Sequence, residues 1–137
     1  MFNMSPEQIM NLSFQEKSTW FRHHLERFRI SWMNGADFMR IEKNNVLMSS
    51  LIESKKVNMF KEVKIEFAGD KVNDAGGLLR EWMHLVIKEM FDEFTGIFTL
   101  CNTDDVMYKL KWDEDIDEEF SAELLILFGI ILGKAIF

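Results

Sequence analysis

Residues 63–91 place the tightest limit on what this chain can fold into. Val63, Ile65 and Phe67 alternate with Lys64 and Glu66, the period-two pattern of a strand with one face on a core. From Leu78 the period changes: Leu78, Trp82 and Leu85 share one helical stripe, with Leu79, Met83, Val86 and Met90 beside it. So wide an apolar face suits a deeply buried helix. Residues 69–77 read as the loop between them, and it closes on Gly76 and Gly77, which permit a turn and close packing of strand on helix. Arg80 and Glu81 open the helix; if buried, they require internal partners. A strand tied to a buried helix points to the α+β class.

The remaining segments are predominantly helical. Ser5, Pro6, Glu7 and Gln8 have the form of a capped helix start, which predicts a short helix through Leu12. Phe14, Phe21, Leu25, Phe28 and Trp32 recur at helical spacing and predict one longer helix, ended by Asn34 and Gly35, with Lys17, Arg22, Arg27 and Arg29 in water. A brief strand follows at 38–41. Asn44 or Asn45 then caps a helix through Lys55 that buries Val46, Leu47 and Leu51. Short strands are expected near 97–100 and 107–112. Six of residues 113–119 are acidic, a solvated loop leading into a helix that starts near Glu118, where negative charge suits the N-terminal dipole. Leu124, Leu125, Leu127, Phe128, Ile131 and Leu132 cover much of that helix's circumference. Other elements must enclose it, and they are expected beyond Phe137.

Composition narrows the partners. A chain of 137 residues, 47% hydrophobic, affords one core that buries about two thirds of the unfolded surface. Residues 1–91 hold 13 basic and 12 acidic groups, whereas residues 92–137 hold 3 and 11. That acidic surface repels phosphate, so nucleic acid and anionic membrane are poor partners and basic protein surfaces better ones. Cys101 is the one cysteine and the N-terminus lacks signal-peptide order, which points to a reducing compartment, cytosol or nucleus. The apolar run 124–137 is broken by Gly129, Gly133 and Lys134 and falls short of the ~20 residues of a membrane span.

No cofactor or metal is expected. Gly129, Gly133, Lys134 and Ala135 miss the phosphate-loop spacing by one residue and lack its hydroxyl, inside a helical pattern without free amides. Asp113, Asp115 and Asp117 begin like a calcium loop, but Glu118 replaces the turn glycine and Leu124 the final glutamate. His23 and His24 point about 100° apart on a helix and cannot share one metal; His84 sits between Met83 and Leu85 and reads, like them, as a helix-surface or satisfied core histidine. Cys101 has Asp104 and Asp105 nearby, which disfavour a thiolate, so it reads as a small residue on or beside a strand.

Asp74, Ala75, Gly76, Gly77, Leu78, Leu79, Arg80, Glu81 and Trp82 resemble, nearly letter for letter, the D-Y/A-G-G-x-x-R-E-W signature of the HECT-type ubiquitin ligases. Val63, Ile65 and Phe67 precede it as the family's L-x-I-x-F does, and Gly96, Ile97 and Phe98 stand where G-L-F is expected. Gly129, Gly133, Lys134, Ala135, Ile136 and Phe137 are similar to G-R-x-x-G-K-A-L/I/V-Y/F, and residues 21–28 to the long opening helix. Departures fall at Lys71, Val72 and Ile130.

The resemblance covers residues 14–137, with 1–13 as an extension or short helix. It implies an α+β, predominantly helical fold, the large subdomain of the HECT N-lobe with short strands. In that family a C-terminal-lobe cysteine accepts ubiquitin as a thioester from a conjugating enzyme and passes it to a substrate lysine. Conjugating-enzyme docking and the cysteine come later in the family's order, so this chain is expected to hold no catalytic residue and to be inactive alone. Its structural signature residues would be Asp74, Gly76, Gly77, Arg80, Glu81, Trp82, Gly129 and Gly133. Some members hold a second ubiquitin on this lobe through two tyrosines in N-P-Y-Y-G-L-F and an asparagine one strand later. The matching positions here are Phe94, Thr95 and Lys111, an eroded version of that site. The alternative from a different class is a non-catalytic interaction or ubiquitin-binding module.

Overall fold

The computed structural model describes residues 3–70, 77–102, 104–111 and 117–137. The expectations for Asp74, Gly76 and the acidic residues 113–115 lie outside the described residues.

Two capping boxes start the chain's helices. Ser5 and Gln8 bracket α1, Pro6–Met10, and Ser13 and Glu16 bracket α2, Phe14–Glu26; in each the serine accepts an orphan N–H while the partner side chain reaches back to the serine's own N–H. The Ser13 hydroxyl and N–H bonds hold the Glu16 carboxyl below its usual range. The helix expected to run to Asn34 stops at Glu26 instead. Beyond it the Ile30 N–H donates to the Phe60 carbonyl at 2.9 Å, drawing the chain toward another segment. Trp32–Asn34 is a separate 3-10 turn, capped by Ser31 and closed by Gly35 at φ 81°, a conformation that favours glycine. Consequently Phe14 and Trp32 do not share a buried face: both are largely exposed, and α2 holds no fully buried residue.

The strand expected at 38–41 is β1, Ala36–Ile41, and the one at 63–67 is β2, Glu62–Phe67. They pair in parallel, Met39 opposite Ile65 and Ile41 opposite Phe67. Parallel neighbours need a crossover, supplied here by α3, Val46–Ser54. Asn45 stands at the cap of α3 but makes no side-chain cap bond. The outer edge of β1 is covered by α3: Glu53 accepts from the Arg40 N–H and Ser49 from the Glu42 N–H, each at 3.2 Å. Such side-chain cover blunts an edge that would otherwise template pairing.

The helix predicted from Leu78 is α4, Gly77–Met90, and its Trp82, Val86 and Met90 are fully buried. They meet Met39 and Ile41 from β1 and Leu124 from the last helix in one core. The tryptophan brings a polar atom inside, and its Nε1–H donates to the Ser50 hydroxyl of α3 at 2.8 Å. An antiparallel hairpin follows, β3 Phe98–Asn102 and β4 Met107–Leu110, with a bulge between Leu100 and Asn102. The last helix, α5 Glu118–Ile136, is capped by Asp117. It buries Leu124, Leu127 and Ile131, whereas Ile126, Leu132 and Ile136 reach the surface. Among the described residues, then, one stripe of α5 is enclosed rather than most of its circumference. No helix among them is long and apolar enough to cross a membrane.

Candidate protein-binding site

The surface that gathers the sequence-predicted binding residues begins where α4 ends. Asp92 closes the helix with a turn: its carboxylate accepts the Phe94 N–H at 2.9 Å and its carbonyl the Thr95 N–H at 3.1 Å. The Thr95 hydroxyl donates back to the Glu89 carbonyl at 2.6 Å. Gly96, at φ 71°, then turns the chain into the hairpin. This fixes the backbone of Phe94 while leaving its ring entirely exposed (101%). Ile97 is buried, and its carbonyl accepts the Lys111 N–H at 2.7 Å. Phe94 and Thr95 thus precede β3 and Lys111 follows β4, which puts all three at one end of an antiparallel hairpin.

An aromatic floor lies under that hairpin. Phe91 and Phe98 stack at 4.4 Å between ring centres, Tyr108 meets Phe91 edge-on at 4.8 Å, and Phe128 of α5 meets Phe98 at 5.3 Å. Offset and edge-on ring pairs of this kind are worth about 0.5–1.5 kcal/mol each beyond their buried area. The floor holds the hairpin on the helices, yet Leu100, Met107, Tyr108 and Leu110 stay 43–54% exposed. A rigid, partly apolar, outward surface of this kind fits a protein partner better than a small molecule. Cys101 lies on β3, exposed, with its thiol on the Met107 carbonyl at 3.1 Å. No cluster of three His, Cys, Asp or Glu that could hold a metal occurs among the described residues.

The signature residues take other positions. Gly77 is the first residue of α4 and Trp82 its deepest anchor. Arg80 and Glu81, in contrast, are exposed, so no internal partner is required of them. They fall on the water side because Leu78, Trp82 and Leu85 take the stripe that faces the core. Glu81 accepts from Lys43 Nζ at 3.0 Å, and the same ammonium reaches Asp70 at 3.1 Å and lies 4.5 Å from the centre of the Phe67 ring. Glu81 first and Asp70 second hold the Lys43 amine above its ordinary pKa. Gly129 and Gly133 are on α5, where an added Cβ would meet nothing within 4 Å; no described neighbour demands glycine there. Lys134, which the sequence offered only as a motif residue, takes a structural role. Its Nζ donates to the carbonyls of Met59 at 3.0 Å and Lys61 at 2.7 Å, and burial, then the Arg29 charge, lowers its pKa. The signal was a lone lysine inside an apolar helical run.

No family model matches the chain. Similar proteins do exist. Probable E3 ubiquitin-protein ligase HUL4 of Eremothecium gossypii is 32% identical over 107 residues, 72% of this chain and 13% of that protein. E3 ubiquitin-protein ligase NEDD4 of Rattus norvegicus is 31% identical over 137 residues, 96% of this chain and 15% of its own length. E3 ubiquitin-protein ligase HUWE1 of Mus musculus is 30% identical over 139 residues, 99% of this chain and 3% of its own length. The chain belongs to the HECT family of E3 ubiquitin ligases. It spans 3–15% of the length of these relatives.

Proposed function

We propose that this chain is the scaffold portion of a HECT N-lobe, with residues 14–137 forming the lobe segment and residues 1–13 an N-terminal extension. The likeness to named ligases over 96–99% of the chain carries the reading. The whole protein would transfer ubiquitin in two acyl steps: a cysteine thiolate attacks the thioester on a conjugating enzyme, and a substrate lysine amine then attacks the new thioester. Each step replaces a difficult acyl transfer with an easier one. The residues described here supply rigidity. The Trp82 anchor and the β1–α3–β2 unit form a base against which a mobile lobe can work. Cytosol or nucleus is the proposed setting and ubiquitin, a conjugating enzyme and protein substrates the proposed partners.

Cys101 is not the acyl-accepting thiol in this reading. Incubated with activating enzyme, conjugating enzyme and ubiquitin, the chain alone should give no thiol-reducible ubiquitin adduct. A reducible adduct that disappears in Cys101→Ala sinks the scaffold reading. The hairpin end is proposed as a weak ubiquitin-binding surface, supported by the full exposure of Phe94 over a fixed backbone turn. Phe94 offers apolar area, Thr95 contributes little, its hydroxyl being turned back onto Glu89, and Lys111 adds a charge. Titration of isotope-labelled ubiquitin with the chain should give resonance shifts that Phe94→Ala reduces at least several-fold; wild-type-sized shifts with that variant remove Phe94 from the site.

A further inference from the structure

Helix α4 turns a basic stripe to the solvent. Arg80, His84 and Lys88 recur every fourth residue and all three are exposed, so they line one side of the helix about 6 Å apart. None of the three side chains makes a hydrogen bond or an ion pair with another described residue. By contrast Lys43, Lys55, Lys56 and Lys61 each meet a carboxylate within 3.4 Å. The helix's own energetics do not account for the stripe. Lys88 lies in the last turn and suits the negative end of the dipole, but Arg80 lies near the positive end, where a cation is disfavoured. There α4 has no acid in its first turn, whereas α2 has Glu16 and α5 has Glu118 and Glu119. The position between the two cations, where a glutamate would form i,i+4 pairs, is His84. Leu79, Met83 and Ile87, one residue earlier at each step, are half-buried on the core, so an apolar stripe runs alongside the basic one.

We propose that this face of α4 binds an acidic amphipathic helix of a partner protein, its carboxylates one turn apart opposite Arg80, His84 and Lys88 and its apolar side against Leu79, Met83 and Ile87. Complementary charge selects the occupant: cations at a helical repeat call for anions at the same repeat, and a partly exposed apolar stripe beside them calls for a helix with one apolar side. A second copy of this chain does not supply it. No described helix carries three carboxylates at that spacing; α5 offers Glu119 and Glu123, and the next position is Leu127. A phosphate polymer has no apolar side to offer and meets a chain of net charge −7, which repels it. The proposal stands on α4 alone and is independent of the Phe94 surface.

Fluorescence anisotropy on the whole chain tests it, with a labelled helical peptide of about four turns whose glutamates recur every fourth residue beside a leucine stripe. The expected result is saturable binding at low salt that falls several-fold as salt is raised and at least tenfold in Arg80→Gln with Lys88→Gln. Both positions are exposed, so that pair should keep its thermal midpoint within about two degrees. Arg80→Glu with Lys88→Glu should instead prefer the same peptide carrying lysine in place of each glutamate, a gain that misfolding does not produce. Undiminished binding of the glutamate peptide by the glutamine pair overturns the proposal, as does equal affinity of the wild-type chain for the two peptides. Absence of wild-type binding to the glutamate peptide overturns it as well. Tighter binding of an oligothymidylate than of that peptide assigns the stripe to a phosphate polymer and overturns the protein helix.

Discussion

At Trp82 a single hydrogen bond decides whether a large polar aromatic can be wholly buried. Its indole N–H has Ser50 Oγ at 2.8 Å, and both residues are inaccessible to water. Ser50→Ala would leave that donor orphaned, at a cost of about 1–3 kcal/mol, while removing very little volume. Urea denaturation should show the loss in midpoint, and an unchanged midpoint would mean that water has entered to replace the hydroxyl. Lys134 poses the opposite case, a charge held by two carbonyls and opposed by burial. The sequence made Trp82 recognisable as core through its stripe, but nothing local in it named Ser50 as the partner, since 32 residues separate them.

Among the elements, α5 and β1 show how position within a face sets energetic weight. Leu127 is buried and Ile126, one residue earlier, is largely exposed. Leu127→Ala should destabilise by about 2–5 kcal/mol through lost burial and a cavity, and Ile126→Ala by no more than about 0.5 kcal/mol; paired denaturation curves would separate them, and equal losses would contradict the assigned stripe. The connection from α3 into β2 is fastened to β1 by Asp37, which accepts the Asn58 N–H at 2.8 Å and faces Lys61 at 3.4 Å. The Asn58 bond chiefly, and Lys61 after it, lower the Asp37 pKa from 3.8. The stability contributed is therefore present above the unfolded value and lost as pH falls through the lower native one. Asp37→Asn should flatten that part of the acid limb of a stability–pH curve; an unaltered limb would show that the carboxylate's native and unfolded affinities for the proton are the same. The brief strand expected at 38–41 proved to be β1, two residues longer, and periodicity identified β2 and α4 to within one residue. It overran α2, because Phe28 and Trp32 keep helical spacing although the chain has turned toward Phe60: spacing records which residues are apolar, not whether the backbone between them remains helical.

For the molecule as a whole, the order of the elements and their motifs pointed to the HECT family, which the relatives then showed, and its hairpin end was legible as a candidate site because Phe94 precedes the G-I-F segment. Other features became visible only once distant segments met. These include the parallel pairing of β1 with β2, the burial of one stripe of α5, and the placing of Arg80 and Glu81 in water with Lys43 joined to Asp70 and Glu81. The division has a physical origin. Helix or strand is settled by backbone geometry acting over three or four neighbours, which a linear sequence displays as a period. Which face is covered, and which buried polar atom finds a partner, depends on atoms tens of residues apart brought within 3 Å, and only the packed chain fixes those distances.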